Sequence, residues 1–190
     1  MALSYYLIAG ISYAQLILGA EGAPDDLQQL LRRNLTPPIA GLRSADIRDT
    51  FNQSRVGGAA HEATDIVAPR GTPILAMSDG VVQKLFLSKP GGLTIYEFDH
   101  DGTYCYYYAH LERYADGLQE GKRVNRGDVI GYVGTSGNAF GKSPHLHLAI
   151  FKLGPQKHWW EGMPVNPYPL LIELLSARSQ HSMLLKRQPN

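Results

Sequence analysis

The sequence predicts a mainly β protein built on an antiparallel sheet, with short helices confined to its periphery. Three observations predict it. From Thr72 onward, short β-prone runs are separated by Gly, Pro and Asp-Gly turn signals. The stretch "HLHLAIF" at 145–151 alternates cleanly between polar and apolar residues at the start of its run. No long amphipathic helical pattern or internal repeat interrupts this region, which argues against a parallel α/β fold.

Composition sets the bounds. With 190 residues and 44% hydrophobic content the chain can bury one good core, and 20 Gly with 12 Pro imply many turns. A formal net charge of +1 and the lack of a basic run give no case for a nucleic-acid partner. Cys105 is the sole cysteine, so an intrachain disulfide and a CxxC zinc site are both excluded. It is expected as core filler in a strand, and any zinc site must draw on His and carboxylate.

The elements follow in order. Residues 3–20, "LSYYLIAGISYAQLILGA", are mostly apolar with no preceding Lys or Arg, and 1–22 are read as an imperfect signal peptide or membrane anchor. In 23–40, Asp25 is expected to cap a short helix through Asn34, followed by a stiff linker at Pro37 and Pro38. The principal domain is expected over 41–168. "TPILAMSDGVVQKLFLS" reads as two strands meeting at Asp79 and Gly80, and "GGLTIYEFDHDGTYCYYYAHLERY" as a hairpin turning at Asp101 and Gly102. "KRVNRGDVIGYVGTSGN" adds another pair, and a short helix near Pro169–Ser176 with a tail closes the chain over 169–190.

The segment "GGAAHEATDIVAPRG", 57–71, carries His61 and Asp65 four apart with Glu62 between them. On a helix these two would share a face, but Gly57, Gly58, Pro69 and Gly71 bracket the segment too closely for one. A straight strand would separate them by about 13 Å. The remaining reading is a loop that turns at His61 and enters a strand near Asp65, with Glu62 an exposed neighbour and not a helical base.

Strand parity places the other histidines. Leu146, Leu148 and Ile150 share one face of their strand, with His145 and His147 together on the other. In "YCYYYAHLERY" the same parity groups Tyr104, Tyr106, Tyr108 and His110, a face that suits a polymer-binding groove, opposite Cys105, Tyr107, Ala109 and Leu111. His61, Asp65, His110, His145 and His147 therefore form one set of candidates. A hydrolytic zinc site commonly uses three protein ligands and an open fourth position for water, which two histidines and a carboxylate satisfy. Two histidines then remain for proton transfer near neutral pH.

On "HEATDIVAPRGTPILAMSDGVV", "YYYAHL", "VNRGDVIGYVGTSGN" and "PHLHLAI", in that order from about Ile47 to Asn166, the sequence resembles the lysostaphin-type (LytM-like) zinc endopeptidases that cleave peptide bonds in bacterial peptidoglycan. The resemblance implies an open, barrel-like duplicated hybrid motif and one zinc ion per chain, held by His61, Asp65 and His147. His110 and His145 would be the catalytic pair, with His145 as candidate base and His110 holding water or stabilising the oxyanion. It further implies peptidoglycan peptides as substrate and a periplasmic or secreted setting, with an envelope tether through the first 22 residues. The region Arg43–Arg55 looks closer to the diderm-envelope members, which implies direct D-Ala to diaminopimelate crosslinks. The sequence departs from the family pattern at Thr64, where glycine is usual, at Ser143 and Pro144, and at Leu148. Two other readings compete. A non-catalytic member of the fold would activate an amidase but would usually lack some of the five groups. A biotinyl or lipoyl carrier would need a lysine on a tight turn, for which Lys84 and Lys89 are poor candidates. Gly80, Gly131 and Gly134 are expected at turns or close contacts, and His100, His158 and His181 on the surface.

Overall fold

A computed structural model describes residues 25–55 and 58–185, with backbone alone for Asp25 and 181–185. The expected signal or anchor and the His181 side chain lie outside the described residues. Among them, no helix is long and apolar enough to cross a membrane.

Among the described residues, nine strands form one antiparallel sheet: β1 (Thr64–Val67), β2 (Pro73–Leu75), β3 (Gly80–Ser88), β4 (Gly92–Asp99), β5 (Tyr104–Tyr114), β6 (Arg123–Val124), β7 (Val129–Val133), β8 (His145–Lys152) and β9 (Met163–Val165). The main path runs β1-β8-β5-β4-β3-β6, with β7 bridging β2 and β5 and with β9 on β8. The β4–β5 hairpin turns where expected: Gly102 takes φ 63, and Asp99 Oδ1 accepts the Thr103 and Tyr104 N–H groups at 2.8 and 3.1 Å. Two expected partnerships differ. β2 and β3 follow one another at Asp79 and Gly80 but do not pair, since β2 pairs with β7 and β3 with β4 and β6. β6 pairs with β3 while β7 pairs with β2 and β5, so "KRVNRGDVIGYVG" supplies two separate parts of the sheet and not one hairpin.

The core lies on the face of β8 formed by Leu146, Leu148 and Ile150, all fully buried. Tyr104, Tyr106 and Tyr108 are also fully buried there, so the face expected to line a groove is packed inward. Their hydroxyls make this tolerable where they find partners, as Tyr108 does by donating to Glu97 Oε2 at 2.6 Å. Cys105 is buried as expected. Gly80 and Gly134 are close-contact positions: a Cβ would lie 2.1 Å from Phe98 O and 2.3 Å from Glu112 N, respectively.

Helix α1 (Asp25–Leu31) ends before Asn34, because Arg33 N–H bonds back only three residues to Leu30 O. The following segment is part of the core and not a free linker. Leu30, Leu35 and Ile39 are buried, Thr36 N–H donates to Met77 O, Leu75 N–H donates to Pro38 O, and Arg33 pairs with Asp99 at 2.7 Å. Helix α2 spans Pro167–Leu185, longer at both ends than expected. Asn166 Oδ1 caps it by accepting the Tyr168 N–H at 2.9 Å, and Pro167 occupies the first turn, where a missing N–H costs nothing. No Gly or Pro follows Pro169 until Pro189 to stop it, and Leu170, Leu171 and Leu175 anchor it to the core.

Candidate metal centre and groove

Strands β1 and β8 pair with Asp65 opposite His147 and Val67 opposite His145. The chain reaches β1 through a bend at Glu62, which is exposed and takes φ 54. Backbone bonds from His61 N–H to Gln53 O and from Glu62 N–H to Phe51 O, both 2.9 Å, fix this bend. Thr50 clamps the far side, donating to Ala63 O at 3.1 Å while accepting the Asp65 N–H at 3.2 Å. Because the left-handed residue is Glu62, Thr64 enters β1 without needing glycine's freedom.

Three ligand atoms converge there. His61 Nε2 lies 3.0 Å from His147 Nδ1 and 3.1 Å from Asp65 Oδ1, and His147 Nδ1 lies 3.0 Å from Asp65 Oδ1. His61 Nδ1 donates its proton to Thr50 O at 3.1 Å, which leaves Nε2 as a lone pair. One proton on His147 Nδ1 cannot satisfy all three edges of this triangle, whereas a central cation can. Tetrahedral zinc with bonds of about 2.0–2.2 Å has ligand edges of roughly 3.3–3.6 Å, close to those seen, so the residues fit zinc. Burial opposes charge on Asp65, but the adjoining His147 and His61 rings outweigh it and hold the carboxyl well below the usual range. Arg55 Nη2 takes its other oxygen at 3.1 Å.

His110 joins this face against the strand parity. Ile95 pairs with Tyr108 but Leu93 pairs with Leu111, so three steps on β5 match two on β4. The extra residue makes a bulge in which His110 takes φ 62 and its N–H bonds to Gly91 O at 2.8 Å. Leu111 thereby returns to the core, and His110 stands on the side of Tyr107 and Ala109. Its ring lies 5.0 Å from that of His145 and 5.5 Å from that of His147, centre to centre. His110 Nδ1 donates to Ser136 O and His145 Nδ1 to Ser143 O, each at 2.9 Å, so both rings keep Nε2 as an acceptor. Burial, then the neighbouring His147 ring, pushes His110 down to about 4. Burial likewise lowers His147, against the pull of Asp65.

All five expected residues therefore line one trough of about 440 Å³. Sequence reasoning missed Arg55, Thr50, Ser136, Tyr107 and Lys142 around it. Backbone carbonyl contacts leave no sequence trace, and Tyr107 lies opposite Tyr104, Tyr106 and Tyr108 as parity requires, but it is its side, not theirs, that forms the trough. Its ring meets His147 edge-on at 5.9 Å and continues at 4.7 Å to Tyr96, which meets Trp159 at 4.8 Å. β5 therefore gives the trough Tyr107 and not the expected face of Tyr104, Tyr106 and Tyr108. A larger depression of about 650 Å³ between α1 and the β4–β5 turn, lined by Arg32, Arg33, His100 and Asp101, holds no convergent ligand set. His100 and His158 are surface residues, the latter stacked on Trp160 at 4.5 Å.

Residues 59–167 match the model of Peptidase family M23. The chain is 37% identical over 131 residues to the L-Ala–D-Glu endopeptidase of Bacillus subtilis, covering 65% of this chain and 39% of that one. It is 38% identical over 120 residues to the peptidoglycan DD-endopeptidase ShyC of Vibrio cholerae, covering 63% of this chain and 24% of that one. The chain thus spans well under two thirds of either relative. Among solved structures, the catalytic domain of the antimicrobial peptidase lysostaphin from Staphylococcus simulans superposes with a TM-score of 0.56 at 26% identity, covering 66% of this chain and 90% of that domain.

Proposed function

The chain belongs to peptidase family M23, and from that premise we propose that it is a zinc-dependent endopeptidase hydrolysing peptide bonds in the crosslinks or stems of bacterial peptidoglycan. The observation that carries the reading is the triangle of His61, Asp65 and His147 at 3.0–3.1 Å, with His110 and His145 beside it in one trough. Both relatives named above are endopeptidases, and the peptidoglycan named for that of Vibrio cholerae supports the substrate class and a periplasmic or secreted setting.

His61, Asp65 and His147 would hold the zinc, which supplies Lewis-acid polarisation of the scissile carbonyl and an acidified water. The protein's own groups divide the remaining work. Arg55 fixes the Asp65 carboxylate, and Thr50 fixes the His61 tautomer. His145, with Nδ1–H on Ser143 O, presents Nε2 to accept the water proton and later to return it to the leaving amine. His110 stays neutral at pH 7. Its Nδ1–H is committed to Ser136 O, so its Nε2 fits accepting a hydrogen bond from water better than donating to an oxyanion. Tyr107 closes the floor beside them. A non-catalytic amidase activator gains no support from a site with every group in place.

The test is a mass-spectrometric digest of purified crosslinked peptidoglycan by the zinc-loaded chain, with His145→Ala and chelated protein as controls. New peptide ends that appear only with the intact, metal-loaded chain are expected. Bound zinc without any new ends, alongside stimulation of a separate amidase, would overturn the reading.

A further inference from the structure

We propose that Lys142 is a specificity-determining residue that takes a free carboxylate of the peptide substrate close to the scissile bond. This inference rests on the endopeptidase reading and names the class of peptide the trough selects.

Lys142 lines the same trough as the five chemical groups. The trough's other charged lining residues are already committed. Arg55 is bonded to Asp65 Oδ2 at 3.1 Å, and Asp65 Oδ1 faces His147 and His61 at 3.0 and 3.1 Å. No second carboxylate lines the trough. Lys142 is exposed and makes no ion pair among the described residues. The one uncommitted charge on the walls is therefore a cation.

Its backbone is held in place while its ammonium is free to reach. Lys142 N–H bonds to Ala139 O at 3.0 Å, and Asn138 N–H ties the same loop to Pro90 O at 3.0 Å. The loop is seated hard against the β3–β4 turn: a Cβ on Gly92 would lie 2.2 Å from Ser136 Oγ, and one on Gly137 2.3 Å from Gly92 N. An exposed ammonium on the wall of such a trough attracts an anionic group on a bound peptide. A bridge made only of backbone amides, such as a run of glycines, offers this ammonium carbonyl acceptors but no countercharge. A stem peptide with a free side-chain or terminal carboxylate forms an ion pair with it. The structure thus assigns the trough to carboxylate-bearing peptides over neutral bridges.

The experiment is a calorimetric titration of the full zinc-loaded chain carrying His145→Ala, which blocks turnover, with two probes. One is a purified crosslinked muropeptide dimer with its carboxylates free. The other is the same dimer with those carboxylates amidated. We expect the free-acid dimer to bind about three- to tenfold tighter. Lys142→Gln should erase that difference. Lys122→Gln, the same charge change on a distant turn, should keep it. Equal affinity for both dimers, a preference that survives Lys142→Gln, or no binding of either dimer would overturn the inference. Failure of the endopeptidase reading has a different signature: the carboxylate preference persists, yet the chain with His145 intact releases no new peptide ends.

Discussion

Asp65 and His147 face each other across the β1–β8 pair, and the register that makes them opposite residues also brings Asp65 Oδ1 to 3.0 Å from His147 Nδ1. Backbone pairing, and not side-chain search, sets two of the three ligand positions. Val67 and His145 are opposite in the same register, so the proposed metal ligand His147 and the proposed base His145 are two steps apart on one strand.

This spacing separates two variants. His147→Ala should lower bound zinc from about one per chain to near zero, because two remaining ligands hold the ion poorly. His145→Ala should keep full zinc and lose about 10²- to 10⁴-fold in turnover. Elemental analysis beside a cleavage assay checks both, and full zinc in His147→Ala would refute the ligand assignment.

Zinc bound to the folded chain alone must also raise its melting temperature as free zinc increases. Wild type should show this rise, and its midpoint should fall on chelation. In Asp65→Ala the rise should vanish, which scanning calorimetry over a zinc series would show. A rise of the same size in that variant would place the ion elsewhere.

His110 holds a left-handed backbone, φ 62, that non-glycine residues adopt at a cost of about 1–2 kcal/mol. His110→Gly should therefore be more stable than His110→Ala by roughly 1 kcal/mol, although both lose activity. Urea denaturation compares them. Equal stabilities would mean the bulge relaxes when the ring is removed.

Glu97 gives a pH signature. Burial pushes its carboxyl up from 4.5 to about 8, against the bonds from Tyr108 O–H and Ser78 N–H. Between those values the native state holds the proton that the unfolded chain has released. The unfolded state then binds fewer protons, so this group's contribution to stability falls as pH rises from about 4.5 to about 8 and then levels off. Glu97→Gln, which mimics the neutral acid, should gain on wild type as pH rises across that window. Denaturant melts at several pH values measure the difference between the two proteins, and a pH-independent difference would reject the assignment.

Leu30 lies outside the matched residues 59–167 yet is fully buried. Leu30→Ala should cost about 2–5 kcal/mol, as expected of a core position, measurable as a shift in the urea midpoint. A cost near zero would make α1 an appendage.

Much of this was legible in the residues. The alternation of His145, Leu146, His147 and Leu148 fixed their faces, since a strand without bulges preserves parity, and the glycines around His61 and Asp65 forced a loop entry. The face of His110 was hidden because one inserted residue inverts the parity of all that precedes it, and nothing in "YYYAHLERY" marks the insertion. The signal lies in the partner strand, where β4 spends two residues against three. The role of 30–39 was hidden for a related reason: Pro37 and Pro38 read locally as a linker, while the burial of Leu35 and Ile39 is decided by distant strands. The length of α2 was underestimated because its first turn was read from Pro169 and not from the Asn166 cap.

His61 and His147 are 86 positions apart, and the strand that carries His147 is followed only by β9 and α2. During synthesis His61 and Asp65 emerge long before His147, and among the described strands β1 pairs only with β8. A nascent or truncated chain ending before residue 145 therefore contains His61, Asp65 and His110 but no assembled centre. Because His147 lies on β8, late in the order of strands, the proposed centre can form only after most of the domain has been synthesised.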